Sequence, residues 1–231
     1  YYLFGVDFVR GTWVQNVILV LAICTVFMGS MLAYREKMLK KRLAYSSISQ
    51  VSYVLFGLFL MTPQAFCGAI LQIVAHAIAK NALFLSAGAV IYKTGHTYVD
   101  ELKGIGKQMP IVMGCFTVAS LSLVGIPPTG GFVSKWFLAT GALECKVENL
   151  IPVIGIVVLI ISALLTAGYL LTIVADAYFP GKDFDYGSLE KKEPNLLMLV
   201  PLIVLACGVV IVGTFPSGLI WLAENIAGSI F

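Results

Sequence analysis

The sequence predicts an all-α, polytopic membrane protein with six transmembrane helices, one of them broken. Three observations carry this: the composition, the lengths of the apolar stretches, and the placement of lysine and arginine between them. Of 231 residues, 59% are hydrophobic and 12% charged, and the mean hydropathy is +0.95. Soluble chains carry about 25% charged residues. Disorder is excluded by the apolar excess. A net charge of +3 with no basic arm argues against nucleic acid as a partner. The chain reads as a single transmembrane domain, 1–231. It begins at Tyr1 rather than Met and is expected to be a piece of a longer protein.

The first span, 13–34, is free of charge, and a basic hinge with Arg35, Glu36, Lys37, Lys40, Lys41 and Arg42 follows it. The second is 43–62 and the third 66–92, with Lys80 near its middle. A polar loop, 93–108, leads to the fourth stretch, 109–143, interrupted at 125–131 by Gly125, Pro127, Pro128, Gly130 and Gly131. The fifth and sixth are 150–175 and 195–215, the last closed by Pro216. These lengths suit a hydrocarbon layer about 30 Å thick. Strands of a membrane barrel would be about ten residues long and would alternate. In the tail, 217–231, Leu219, Leu222, Ala223, Ile226 and Ile230 share a helical face. Either an interfacial helix anchored by Trp221 or a short soluble cap fits that pattern.

Orientation follows from the loops. With six spans, Arg35, Lys37, Lys40, Lys41, Arg42, Lys93, Lys103, Lys107, Lys182, Lys191 and Lys192 share one side. Arg10 and Lys146 share the other, and Lys80 and Lys135 lie inside spans. Both termini are therefore expected outside the cytoplasm.

Lysine at the centre of a lipid-embedded helix costs about 2.5–3.5 kcal/mol, so it needs a reason. Lys80 lies roughly 20 Å from either end of its span, too far to snorkel. Gln72, His76 and Lys80 are spaced i, i+4, i+8 on one helix face, with Asn81 beside them. Such a column suits a hydrated path for protons, or a polar seam that hydrogen-bonds neighbouring helices. Lys135 follows the break. Non-helical backbone at membrane depth persists only when buried in protein or lining a wet cavity, and broken helices mark ion sites in transporters. The helix restarting after the break would bring its positive end near Lys135. The bland alternatives are an extramembrane turn, or a lysine that snorkels past Glu144.

Tyr45, Ser46, Ser47, Ser49, Gln50 and Ser52 open the second span, where they either line a wet half-channel or bond neighbouring helices. His96 is expected to be solvated in its loop. Cys24, Cys67, Cys115, Cys145 and Cys207 lack metal-ligand spacing and read as small buried hydrophobes. There is no Walker loop, GxGxxG or Ser/His/Asp arrangement. No cofactor, metal site or redox active site is expected in this chain.

Three stretches are similar to motifs of one family. Lys41-Arg42-Leu43-Ala44-Tyr45-Ser46-Ser47-Ile48-Ser49-Gln50 resembles KRLLAYSSISQ of the antiporter-like subunits of respiratory complex I (NADH:quinone oxidoreductase), Mrp cation/proton antiporters and membrane-bound hydrogenases. His76-Ala77-Ile78-Ala79-Lys80-Asn81-Ala82-Leu83-Phe84-Leu85 resembles NHALFKALLFL, and the stretch from Gly125 to Lys135 resembles GIPPLxGFxSK. The resemblance implies a 14-helix subunit with two inverted repeats, of which this chain is the second repeat plus the last helix. It implies that Lys135 is the broken-helix lysine of a proton exit path and that Lys80 and His76 lie on a central hydrophilic axis. Gln72 departs from the pattern, standing where several relatives place a second histidine. The implied function is translocation of protons, or of a cation such as sodium against protons, beside other membrane subunits in a bacterial plasma membrane. Any oxidation would occur in those partners. The alternative is a non-conducting assembly subunit.

Overall fold

The structure, a computed structural model, describes residues 5–145, 150–181 and 191–231. The helices among them are α1 (Val6–Val9), α2 (Trp13–Arg35), α3 (Leu39–Phe59), α4 (Pro63–Thr94), α5 (Ile105–Gln108), α6 (Pro110–Val124), α7 (Gly130–Leu143), α8 (Ile151–Tyr178), α9 (Leu196–Thr214) and α10 (Ser217–Gly228). No β-strand occurs among the described residues; an isolated bridge joins Met38 to Tyr98.

Helix ends follow local chemistry. The Thr62 hydroxyl accepts from the Ala65 amide and Pro63 opens α4, while Gly95 closes it with a φ of 77°. At 32 residues, α4 is about 48 Å long, so it outruns the hydrocarbon layer. Four helices, α2, α4, α8 and α9, are individually long and apolar enough to cross a membrane. The other two expected spans, 43–62 and the broken 109–143, are not single helices of that kind. α3 is long enough, but its first turn holds Lys40, Lys41 and Arg42 and its middle is rich in serine. α6 and α7 have 15 and 14 residues, so neither spans alone.

Polar segments hold more structure than expected. In the loop 93–108, Val99–Leu102 forms a 3-10 turn next to α5. Amides of Thr97 and Tyr98 donate to the Glu101 carboxylate, which holds its pKa below the ordinary value. His96 is partly exposed, as expected, with Nδ1 3.9 Å from Glu101. Arg42, counted above as a loop charge, is buried: its guanidinium donates to the carbonyls of Glu36 and Tyr169. Lys146 and Lys182, counted in the same way, lie outside the described residues.

α4 runs through the middle, packed by α3, α6, α7, α9 and α10, while α2 packs on α3 and α8. The buried residues form a smaller apolar core under α10 and two larger ones. One takes Leu43 from α3, Leu83 from α4, Phe116 from α6 and Ile173 from α8. The other takes Val26 from α2, Phe56 from α3, Leu138 from α7 and Leu159 from α8. Along α3 and α8 the residues between these cores are polar and buried: Ser46, Ser49 and Gln50 on one, Ser162 and Thr166 on the other.

The tail docks differently from its expected face. Ala223 and Ala227 are buried against Phe66 and Cys67 of α4, with Ile230 alongside, whereas Trp221 and Leu222 are exposed. Small side chains let α10 approach α4 closely; the larger ones point away. The cysteines also divide, with Cys67 and Cys115 buried but Cys24 and Cys207 on the helix surface.

The orientation is testable. A Lys103→Cys subunit in membranes should react with a membrane-impermeant maleimide only from the cytoplasmic side, the side expected for the basic loops. Labelling from outside intact cells would reverse the topology.

Candidate functional site

The break begins where α6 ends. Gly125 adopts a φ of 93°, and its amide donates to the carbonyl of Leu121. A side chain here would be strained, and would also meet the stem of Lys135, which lies across Gly125. The interruption is narrower than the expected 125–131. Gly130 and Gly131 are the first residues of α7, after Thr129, whose hydroxyl donates to the Ile126 carbonyl. Pro127 and Pro128 lie within the interruption, as expected.

Gly131 is required by contact rather than by conformation. A Cβ at this position would overlap the carbonyl oxygen of Ser122, so α6 and α7 touch backbone to backbone. The Gly131 amide donates to the Ser122 hydroxyl at 3.3 Å.

Lys135 lies on the first turns of α7, but its amine reaches back across the break. It donates to the carbonyls of Leu123 and, at 2.8 Å, Val124. These belong to the last turn of α6, where carbonyls have no helical partner and the dipole is negative. The expected electrostatics are thus corrected. The lysine faces the negative end of the helix before the break, not the positive end of the one after it. Its amine also stands 5.4 Å from the ring centroid of Tyr53. Between the break, α7 and α8 lies a groove of about 300 Å³, and Lys135 is its one charged lining residue.

Lys80 is 6% exposed, and its amine donates to the Leu43 carbonyl at 2.7 Å and to the Ser46 hydroxyl. Both acceptors belong to α3. Ser46 in turn donates to the Leu43 carbonyl at 2.9 Å, and on α8 the Tyr169 hydroxyl donates to Thr166 at 3.3 Å. One turn away on α8, Ser162 meets Ser30 of α2 at 2.6 Å and Ser49 of α3 at 3.2 Å, while the Tyr53 hydroxyl donates to the Leu159 carbonyl at 3.0 Å. Tyr53 is the ring under Lys135.

The column of Gln72, His76 and Lys80 therefore divides. Gln72 donates to Gln50 of α3 at 2.8 Å and accepts from Ser134 of α7 at 2.6 Å. It joins two helices and is held on both sides. His76 is within Coulombic reach of Lys80, but its buried Nδ1 has no hydrogen-bond partner, and neither does Nε2 of Gln50. Sequence reasoning concentrated on α4 and missed Ser134, Tyr53 and the α8 residues Ser162, Thr166 and Tyr169. A signal was present: i, i+4, i+7 polar spacing in an otherwise apolar helix. No group of three or more His, Cys, Asp or Glu able to hold a metal occurs among the described residues.

Apolar helices, a helix broken between α6 and α7, a buried lysine and a half-buried one define an antiporter-like membrane subunit. The chain belongs to the family described as NADH:quinone oxidoreductase/Mrp antiporter, TM, which matches residues 2–173. It is 38% identical over 210 residues to NADH-quinone oxidoreductase subunit N of Desulforudis audaxviator (strain MP104C), covering 87% of this chain and 41% of that protein. It is 32% identical over 222 residues to F(420)H(2) dehydrogenase subunit N of Methanosarcina mazei, covering 92% of this chain and 43% of the relative. The chain thus spans about two-fifths of the length of these relatives. Among solved structures it is similar to a chain of the membrane-bound sulfane sulfur reductase, an archaeal respiratory membrane complex. There the TM-score is 0.83 at 26% identity, covering 94% of this chain and 42% of that one. A chain of the Mrp complex from Dietzia sp. DQ12-45-1b has the same fold, with a TM-score of 0.79 at 23% identity, covering 94% and 47%.

Proposed function

We propose that this chain forms half of a proton-translocating, or cation/proton-translocating, membrane subunit, in which Lys80 and Lys135 carry the ion path. One observation supports this most. The buried amine of Lys80 and the half-buried amine of Lys135 are held by carbonyls and a hydroxyl, and neither has a carboxylate within ion-pair distance among the described residues. A buried cation without a counter-charge costs several kcal/mol, so a purely structural bundle gains nothing from it. The Ser46, Tyr169 and Thr166 hydroxyls and the unpartnered His76 Nδ1 give that path polar neighbours. In this reading the chain is the second inverted repeat and last helix of a 14-helix subunit. The α6–α7 pair is its broken helix, and other membrane subunits of a bacterial plasma-membrane complex surround it.

The alternative, a non-conducting assembly subunit, is favoured at one position. Gln72 is bonded to Gln50 and Ser134, as expected of a seam that fastens α3, α4 and α7.

Lys80 separates the two readings. In the full-length subunit, Lys80→Arg keeps a charge that donates to Leu43 and Ser46 but cannot release a proton in the working range. It should reduce coupled translocation at least tenfold in reconstituted vesicles while the complex still assembles. Unchanged translocation in both Lys80→Arg and Lys80→Ala would favour the assembly reading.

A further inference from the structure

The Lys135 amine donates to the carbonyls of Leu123 and Val124, and no carboxylate stands within ion-pair distance of it among the described residues. In place of a counter-ion it meets an aromatic face. The ring of Tyr53 on α3 has its centroid 5.4 Å from the amine. That ring is fully buried, and its hydroxyl donates to the Leu159 carbonyl of α8 at 3.0 Å. Leu159 itself lines the groove in which Lys135 lies, so Tyr53 is fixed to the wall of that groove. The arrangement recurs at the other lysine. The Lys80 amine stands 5.9 Å from the ring centroid of Phe84, one turn further along α4, although that ring is exposed.

A carboxylate and a ring act differently on a proton. An ion-paired carboxylate holds the ammonium form hard and has to be moved or neutralised before the proton leaves. The π face carries a partial negative charge that favours the ammonium far less. The other groups around Lys135 are neutral. The Gln72 amide of α4 reaches α7 at Ser134, Val212 of α9 lies against Gly130, and α8 presents Leu159, Ile160 and Ala163. No carboxylate, imidazole or guanidinium lines the groove. Among these neighbours the Tyr53 phenol alone can titrate.

We propose that Tyr53 is a positioning residue for the proton step at Lys135, its ring face holding the ammonium against the end of α6 in place of a counter-ion. This role rests on Lys135 carrying the ion path, and it adds the group that regulates when the lysine keeps its proton.

The test changes the charge on the ring face with little change in its volume. In the full-length subunit within its complex, Tyr53 is replaced by Phe and by mono-, di- and trifluorinated phenylalanine, introduced by nonsense suppression. The hydroxyl bond to Leu159 is absent from all four, so only the electron density of the face varies among them. A weaker face stabilises the ammonium less, and the proton is lost at lower pH. Relative to Tyr53→Phe, the alkaline limb of coupled translocation in reconstituted vesicles should move down with each fluorine. Three fluorines should move it by about half a pH unit, or about threefold in proton affinity. The same series at Phe56, a buried ring of α3 set against Gly155 of α8, should leave the limb in place. A limb that stays fixed along the Tyr53 series, or that moves equally along the Phe56 series, would overturn the role of the ring. A fixed limb with an inactive Lys135→Gln variant removes Tyr53 alone and leaves the ion path standing. Translocation at the normal rate by Lys135→Gln removes both.

Discussion

Lys135→Gln is expected to leave the assembled complex at close to its normal abundance and to abolish coupled ion translocation. The glutamine amide can still donate to the orphan carbonyls at the end of α6 but has no proton to exchange near neutral pH. Lys135→Ala should be worse in a different way. It strands the carbonyls of Leu123 and Val124, now held by the amine, and leaving such groups buried and unpaired costs about 1–3 kcal/mol each. Comparing the two variants separates the capping role of the side chain from its proton chemistry. The measurements are native-gel abundance and proton uptake in reconstituted vesicles. Translocation at the normal rate by Lys135→Gln would remove Lys135 from the ion path.

The second large effect is expected from a single methyl group. Gly131→Ala puts a Cβ onto the carbonyl oxygen of Ser122, and the opposing atom is backbone, which cannot rotate away. Overpacking of flexible side chains costs typically 1–3 kcal/mol, so this change should lie at the upper end or beyond. The α6–α7 contact would open and the Gly131–Ser122 hydrogen bond would be lost. Lys135 would then be carried away from the carbonyls it caps. The expected result is little or no assembled complex. Gly88→Ala is the matched comparison: nothing lies within 4 Å of its added Cβ, and alanine is the better helix former by up to about 1 kcal/mol. A Gly131→Ala complex with the same abundance and melting temperature as Gly88→Ala would refute the close-contact account.

Much of this was legible in the sequence because bilayer solvation imposes long-range order on composition. The start of α8 and both ends of α9 were found within a residue or two, since each is a plain run of apolar residues. The break was located too, because Gly125, Pro127 and Pro128 cannot continue a helix. Its far edge was misplaced. Gly130 and Gly131 read as loop residues, and only the approach of Ser122 explains why glycines begin a helix there. The direction of Lys135 was hidden for a similar reason. A lysine side chain spans more than one helical turn, so sequence position does not say which side of a break its amine will choose. The α8 hydroxyls went unnoticed because their significance depends on α2 and α3, more than a hundred residues away, presenting Ser30, Ser49 and Tyr53 at the same height.

The two apolar cores with a polar layer between them also form an electrical circuit. Hydrocarbon-like packing is a poor conductor, so a membrane potential falls across the two cores in series rather than evenly along the helices. Ser49, Ser162 and Gln72 belong to the buried polar layer between them. Moving one elementary charge across 100 mV is worth about 2.3 kcal/mol, so on the proposed path an ion that rests in the polar layer works against only part of that at each step. On that path the layer divides one steep electrical climb into two shorter steps.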